Sequence, residues 1–490
     1  MAPRHARSTE KVLQNSIFLM GTTGLTALLS FAFWALVARL FSASRVGLAT
    51  SLISAISLIS YMSLCGMNST LIRFAAPQRA RNSQITLACL AVGSAAFVIA
   101  SGYLLGLPWY GEKLMFIRAN PWLGGMFVAV CVAAALNVIT DTVFISARIP
   151  QYNLLADGII QGVAKLLLPL GLVSLGAVGI VGAMGGGYVV AVVASFVLMW
   201  WRLGYRIDLK TRGTGLRRYA RFSVASYLSA LLNLLPSLVL PLIVLQKLGP
   251  TDAGYYYIAF QIAGMLTAVC AAVGEAMFSE ASHDLARTGE VLKRSAKIMV
   301  ITGVPAAAIV AGASGPLLEL FGPQYAANAR TLLIVLAVGV IAVVLNTWAS
   351  NALRVHRKLR AMVMSNVVFL VVTVVMALLF AARGLEWLGW AWDAGNLASG
   401  LAAAVCIPWH RLAPGQSAAS AAPVPTSEIR AAEPEWAEPV SSAFLDDTGT
   451  IPMIFPWNRP EWSAAAIKQR PPVELPAKKD EADDEEAFKW

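Results

Sequence analysis

Residues 38–54 read ARLFSASRVGLATSLIS, and residues 245–262 read LQKLGPTDAGYYYIAFQI. Each stretch leaves one apolar run, crosses a short polar link and starts another, and Gly47 aligns with Gly254 at an offset of 207. The same offset brings Gly182, near the start of a later run, onto Gly389, and an offset of 206 brings Arg148 onto Arg354. Landmarks that hold one spacing along the chain predict two halves of the same topology. The competing reading is that Gly and Arg mark helix ends for local reasons. Parallel repeats of this kind are a transporter signature, with the substrate site between the halves.

Working outward from these links, a membrane-crossing helix needs about 20 mostly apolar residues. Twelve stretches qualify: Asn15–Ala38, Val46–Cys65, Gln84–Leu107, Trp122–Ile145, Leu154–Leu175, Val178–Trp201, Phe222–Leu245, Tyr255–Phe278, Ala296–Gly312, Thr331–Asn351, Val363–Ala382 and Trp387–Ile407. The ninth is short and the turn between the fifth and sixth is tight. Of the 490 residues, 57% are hydrophobic and 13% charged, against roughly 25% charged in a soluble domain. Mean hydropathy is +0.65, which argues against a soluble enzyme. The net charge of +11 is no nucleic-acid footprint, because the charges sit between the apolar runs. Cys65, Cys89, Cys131, Cys270 and Cys406 are widely spaced inside such runs, so neither a disulfide nor a metal site is expected. The basic start, Met1 to Lys11, leads into a run too long for a signal-peptide core and reads as an uncleaved first span.

Short-loop Lys and Arg resist translocation, whereas acidic residues matter little. Counting them over alternate loops gives twenty-three on the side of the N-terminus and seven on the other. Both termini are therefore expected in the cytoplasm. Removing or adding one span would destroy the alternation. The expected architecture is an all-α polytopic protein of the cytoplasmic (inner) membrane, with a cytoplasmic N-terminus at 1–14 and a six-helix bundle at 15–201. A basic cytoplasmic linker follows at 202–221, then a second six-helix bundle at 222–407 and a tail at 408–490. Residues 412–490 are rich in Ala, Pro and Glu, with 14 acidic and 7 basic side chains. Such a composition is expected to be disordered. Its aromatic clusters (Trp436, Phe455, Trp457, Trp462, Phe488, Trp490) are either docking motifs for cytoplasmic partners or parts of a solvated tail.

Ionisable groups inside a bilayer cost about 2.5–3.5 kcal/mol each on insertion scales, so each one marks a functional hypothesis. Asp157, Gln161 and Lys165 on the fifth span are four apart and share a helix face. Asp141, on the fourth span, lies about two turns from Arg148. Lys165 leans back toward the helix N-terminus and both aspartates. Lys165 suits a phosphate as a point charge, and an aspartate suits a coupling proton or sodium ion. The alternative is a buried ion pair that pins helices together. Glu275 and Asp393 are weaker candidates. Asp393, among Trp387, Trp390 and Trp392, reads as interfacial because tryptophans mark the aromatic belt. Pro169, Pro236, Pro241 and Pro305 interrupt spans and suggest bends. Asn68, Asn137, Asn233, Gln261 and Asn346 read as bridges between helices. Outer loops are short, with Glu112, Asp252, Glu319 and Glu386 as their acids, which disfavours a membrane glycosyltransferase or ligase. No Gly-rich phosphate cradle appears in the cytoplasmic loops, so nucleotide hydrolysis is not expected, and no cofactor is.

The opening NSIFLMGTTGLTALLSFAFWALVARLFSASRVG, the linker SLGAVGIVGA, and RRYARFSVASYLSALLN followed by LGPTDAGYYYIAFQI resemble the bacterial polysaccharide-biosynthesis flippases. These are the Wzx-like branch of the MOP transporter superfamily, and the resemblance covers roughly residues 10 to 407. It implies two six-helix bundles around a cavity that opens alternately to each side. The implied cargo is a polyprenyl-pyrophosphate-linked oligosaccharide, carried from the cytoplasmic to the outer leaflet. Arg39 falls on the arginine that often closes the first span in this family and either reaches substrate or anchors the outer interface. The superfamily also holds multidrug antiporters and peptidoglycan-precursor flippases, so an ion-coupled small-molecule antiporter and a peptidoglycan lipid-precursor flippase stay open as alternatives. Peptidoglycan-precursor members typically carry additional spans that are not found here. A further reading makes the tail primary, recruiting cytoplasmic glycosyltransferases.

Overall fold

The computed structural model describes residues 25–73, 78–147, 149–209, 216–283, 288–356 and 358–407. The expected N-terminus at 1–14, residues 210–215 of the linker and the tail at 408–490 lie outside the described residues. Among the described residues there are helices and turns and no strand.

Among the described residues each expected span falls on a helix, residues 15–24 of the first lying outside them. These are α1 (Leu25–Leu40), α2 (Ala43–Ser63), α3 (Gln78–Tyr110), α4 (Pro121–Ser146), α5 (Gln151–Leu175), α6 (Ala177–Leu203), α7 (Leu216–Lys247), α8 (Pro250–His283), α9 (Thr288–Gly312), α10 (Pro323–Val338 with Val340–Val355), α11 (Leu359–Phe380) and α12 (Glu386–Val405). By length and composition nine of these can cross a membrane, and α10 makes a tenth as a bent pair. The other two are α1, a helix of sixteen described residues, and α12, which carries Glu386 and Asp393. The ninth helix starts at Thr288 and runs 25 residues, longer than its apolar core suggests. Gly176 (φ 60°) makes the tight turn between α5 and α6, and Gly249 (φ 111°) that between α7 and α8.

Lipid tails are as apolar as the helices, so packing shape and hydrogen bonds hold the bundle, and small residues gather where backbones meet. In the N-terminal half α4 packs on α3, α6 and α2, and α5 packs on α6. In the C-terminal half α12 packs on α11 and both segments of α10, while α8 packs on α9 and α10. The halves meet where α2 packs on α8 and α7, and where the Trp34 ring of α1 lies 4.7 Å from Tyr257 of α8.

Gly47 and Gly254, paired by the 207 offset, lie against one another at that seam. A Cβ on Gly47 would fall 1.8 Å from the Pro250 carbonyl oxygen, and one on Gly254 would fall 2.2 Å from that of Ala43. The Ser51 hydroxyl donates to the Pro241 carbonyl at 3.2 Å, tying α2 to α7. Two residues related by a two-fold repeat touch when they lie on its axis, so the contact supports the repeat that the spacing predicts.

The expected single span Thr331–Asn351 is broken at Gly339, with a 40° bend. A Cβ there would lie 1.8 Å from Asp393 Oδ1, so α12 pushes a carboxyl into space that only glycine leaves. Two residues beyond Asp393 on α12, a Cβ on Gly395 would lie 1.9 Å from Thr373 Oγ1 on α11. Gly395→Ala is expected to destabilise the bundle by about 1–3 kcal/mol, seen as a lower melting temperature in detergent. Thr373→Ala in the same chain removes the obstructing atom and should recover most of that loss.

Candidate functional site: a polar cluster between α4 and α5

Within α5, residues Leu154–Gln161 form a π-helical stretch, a feature that often marks functional sites. Three glycines let this helix sit close to its neighbours. A Cβ on Gly162 would fall 2.6 Å from Leu29 of α1, and one on Gly158 would fall 3.8 Å from Thr26. On the α6 side Gly187 receives the stem of Lys165, whose Cγ lies 2.6 Å from where a Cβ would be.

These approaches assemble a hydrogen-bonded chain. Lys165 Nζ donates to Gln161 Oε1 at 2.9 Å, and Gln161 Nε2 donates to Asn137 Oδ1 at 3.1 Å. Asn137 Nδ2 in turn donates to Asp141 Oδ2 at 3.3 Å. The Asp157 carboxyl lies beside Asp141 and Asn137 and in the field of Lys165, with its Oδ1 buried and without a hydrogen-bond partner. The Lys165 ammonium also sits 4.5 Å from the centre of the buried Tyr188 ring. Asn137 and Gln161 are buried.

Two adjacent carboxylates repel one another, so a proton or another cation is favoured at the Asp141–Asp157 pair. A cation taken up by the pair weakens its hold on the ammonium, which then becomes available to an anion. The arrangement can therefore exchange a cation on the carboxyl pair and hold a phosphate at Lys165.

The structure thus brings Lys165, Asp157, Asp141 and Gln161 together and leaves Arg39 and Glu275 elsewhere. Arg39 Nε donates to the Leu320 carbonyl at 2.9 Å, linking α1 to the C-terminal half. Glu275 lies on α8 with its side chain outside the described residues, as does all of Arg148. Asn346 does bridge helices: its Nδ2 donates to Asn396 Oδ1 of α12 at 3.0 Å. Asn233 of α7 donates to Asn366 Oδ1 of α11 at 3.3 Å. Asn68 stays local, accepting from the backbone of Ser69.

Asp393 corrects its reading as an interfacial residue. It is 6% exposed, and both carboxyl oxygens, like the nearby Tyr256 hydroxyl, have no hydrogen-bond partner. The tryptophans around it misled because they point different ways. Trp390 faces outward at 46% exposure, while Trp392 turns inward between Phe260 and Phe369, at 4.9 and 5.2 Å. Two members of the main cluster carried little signal of their own. Asn137 is one neutral amide among several, and Tyr188 stands alone in an apolar run.

The described helices, in two halves joined through α1, α2, α7 and α8, have a fold seen in solved transporters of the MOP superfamily. An inward-facing multidrug resistance MATE family transporter of that superfamily shares it, with TM-score 0.61 and 15% identity over 81% of this chain and 98% of that one. The lipid II flippase MurJ in an inward closed conformation gives TM-score 0.65 and 10% identity over 81% and 89%. A MOP superfamily transporter from Pyrococcus furiosus gives TM-score 0.54 and 14% identity over 82% and 95%. Residues 36–330 match the model of a family described as "Polysaccharide biosynthesis protein". That is more than half of the chain, and the chain belongs to this family. A comparison with curated proteins gives no match. The family is one of polysaccharide biosynthesis proteins, and the fold is one found in multi-pass membrane transporters.

Proposed function

We propose that the chain moves a polyprenyl-(pyro)phosphate-linked oligosaccharide from the cytoplasmic to the outer leaflet by alternating access, for cell-surface polysaccharide synthesis. The observation that carries this reading is the α4–α5 cluster. One ammonium is held beside two adjacent carboxyls within the segment that matches a polysaccharide biosynthesis family. Lys165 supplies the point charge for the phosphate, and the Asp141–Asp157 pair takes the coupling proton or sodium ion. Export then follows when the halves exchange which end of the α2–α8 seam is closed. The tail at 412–490 serves as a dock for cytoplasmic glycosyltransferases.

The test is a deletion strain assayed for lipid-linked oligosaccharide. The expected result is build-up of the intermediate on the cytoplasmic leaflet, cleared when the wild-type chain is supplied. No build-up would overturn the reading in favour of a small-molecule antiporter.

A further inference from the structure

The lipid-facing side of the N-terminal half carries a groove of about 740 Å³ between α3, α4 and α6. That volume lies within the roughly 300–1,000 Å³ of sites that enclose small molecules. Phe97 of α3 forms one wall, and Val189 and Val193 of α6 form the other. Gly125 opens the floor: a Cβ there would meet nothing within 4 Å. Everything that lines the groove is apolar except Arg118, at the end where α4 begins.

Arg118 stands at headgroup depth. Trp109 and Trp122, on either side of it in the chain, are 86% and 79% exposed, as tryptophans are at a membrane–water interface. Its Nη1 donates to the Leu105 carbonyl at 3.2 Å, which fixes the guanidinium and leaves further N–H donors of its fork. Lys113 is turned away, its ammonium near Gly249 of the α7–α8 turn.

The length of the groove selects the occupant. From Pro121 to Leu136, both in the lining, the α4 axis rises about 22 Å at 1.5 Å per residue. Half the hydrocarbon core is about 15 Å thick. A chain anchored at Arg118 and filling the groove therefore crosses the midplane. An ordinary acyl chain ends within its own leaflet, whereas a long isoprenoid chain continues.

We propose that this groove is a binding site for a polyprenyl phosphate, with the phosphate on Arg118 and the isoprenoid tail lying along α4 over Gly125. The inference rests on the cargo reading above and adds a resting place for the lipid on the side of the α3–α4 turn, which charge alternation makes the outer leaflet. Delivered lipid lodges its tail there while its glycan faces out.

The test uses the full chain in nanodiscs with a polyprenyl phosphate bearing a photoreactive group on its tail, and a phosphatidylglycerol with the same group for comparison. The polyprenyl probe is expected to label residues 121–136, with yield falling about tenfold or more in Gly125→Phe, which fills the floor, and in Arg118→Gln. Melting curves matching wild type show that the variants fold, and Gly125→Phe enters open space. Phosphatidylglycerol at the same mole fraction should neither label the groove comparably nor displace the probe. Equal labelling by phosphatidylglycerol, labelling confined to other helices, or full labelling of both variants would overturn the site. The flippase reading would survive any of these, because leaflet transfer is measured without this probe.

Discussion

Alanine at Gly254 is expected to cut export of lipid-linked oligosaccharide about tenfold or more. On helix propensity alone Gly→Ala favours a helix by about 1 kcal/mol, so any loss must come from packing. The obstruction is the Ala43 backbone carbonyl, 2.2 Å from the new Cβ, and a backbone atom cannot rotate aside as a side-chain tip can. Overpacking of this kind costs about 1–3 kcal/mol, enough to hold α2 and α8 apart at this end. Gly47→Ala strikes the Pro250 carbonyl across the same seam, so the double variant should be little worse than either single one. In a background freed of native cysteines, Ala43→Cys is buried in the wild-type seam and should react with a membrane-impermeant maleimide only when Gly254 is alanine. Normal export with an unreactive cysteine would contradict this account of the seam.

Lys165→Met is expected to abolish export while the chain still folds. Methionine keeps the apolar stem that lies on Gly187 and beside Tyr188 and removes the ammonium. Gln161 Oε1 then loses its donor, and the carboxyl pair loses its balancing charge. A purely structural ion pair would make each partner dispensable once both are neutral, so Lys165→Met with Asp157→Asn separates the readings. If the cluster carries transport, the double variant reaches the membrane at wild-type levels and still fails to export. Restored export in the double variant would reduce the cluster to a pin between helices.

The spans were legible because a bilayer demands about 20 apolar residues per crossing, and charge in the loops reports on their parity. The α10 break was not legible, since Gly339 in an apolar run changes no periodicity and its cause, Asp393, lies over fifty residues away. Asp157, Gln161 and Lys165 could be grouped because spacing on one helix encodes a face. Their partner Asn137 sits on another helix, and nothing in its neighbourhood distinguishes it from Asn68, which bonds only locally. The aromatic belt rule placed Asp393 wrongly, because it cannot tell Trp390 facing outward from Trp392 facing inward. Gly47 and Gly254 were visible as a repeat, but their contact depends on where the axis runs, which spacing does not state.

The most direct measurement places the purified full chain in liposomes with a lipid-linked oligosaccharide and follows, over time, the fraction of glycan reached by a glycosidase added outside. The account predicts that this fraction climbs beyond the outer-leaflet share in wild-type vesicles and stays at that share in Lys165→Met vesicles. A wild-type curve indistinguishable from that of protein-free vesicles would contradict it.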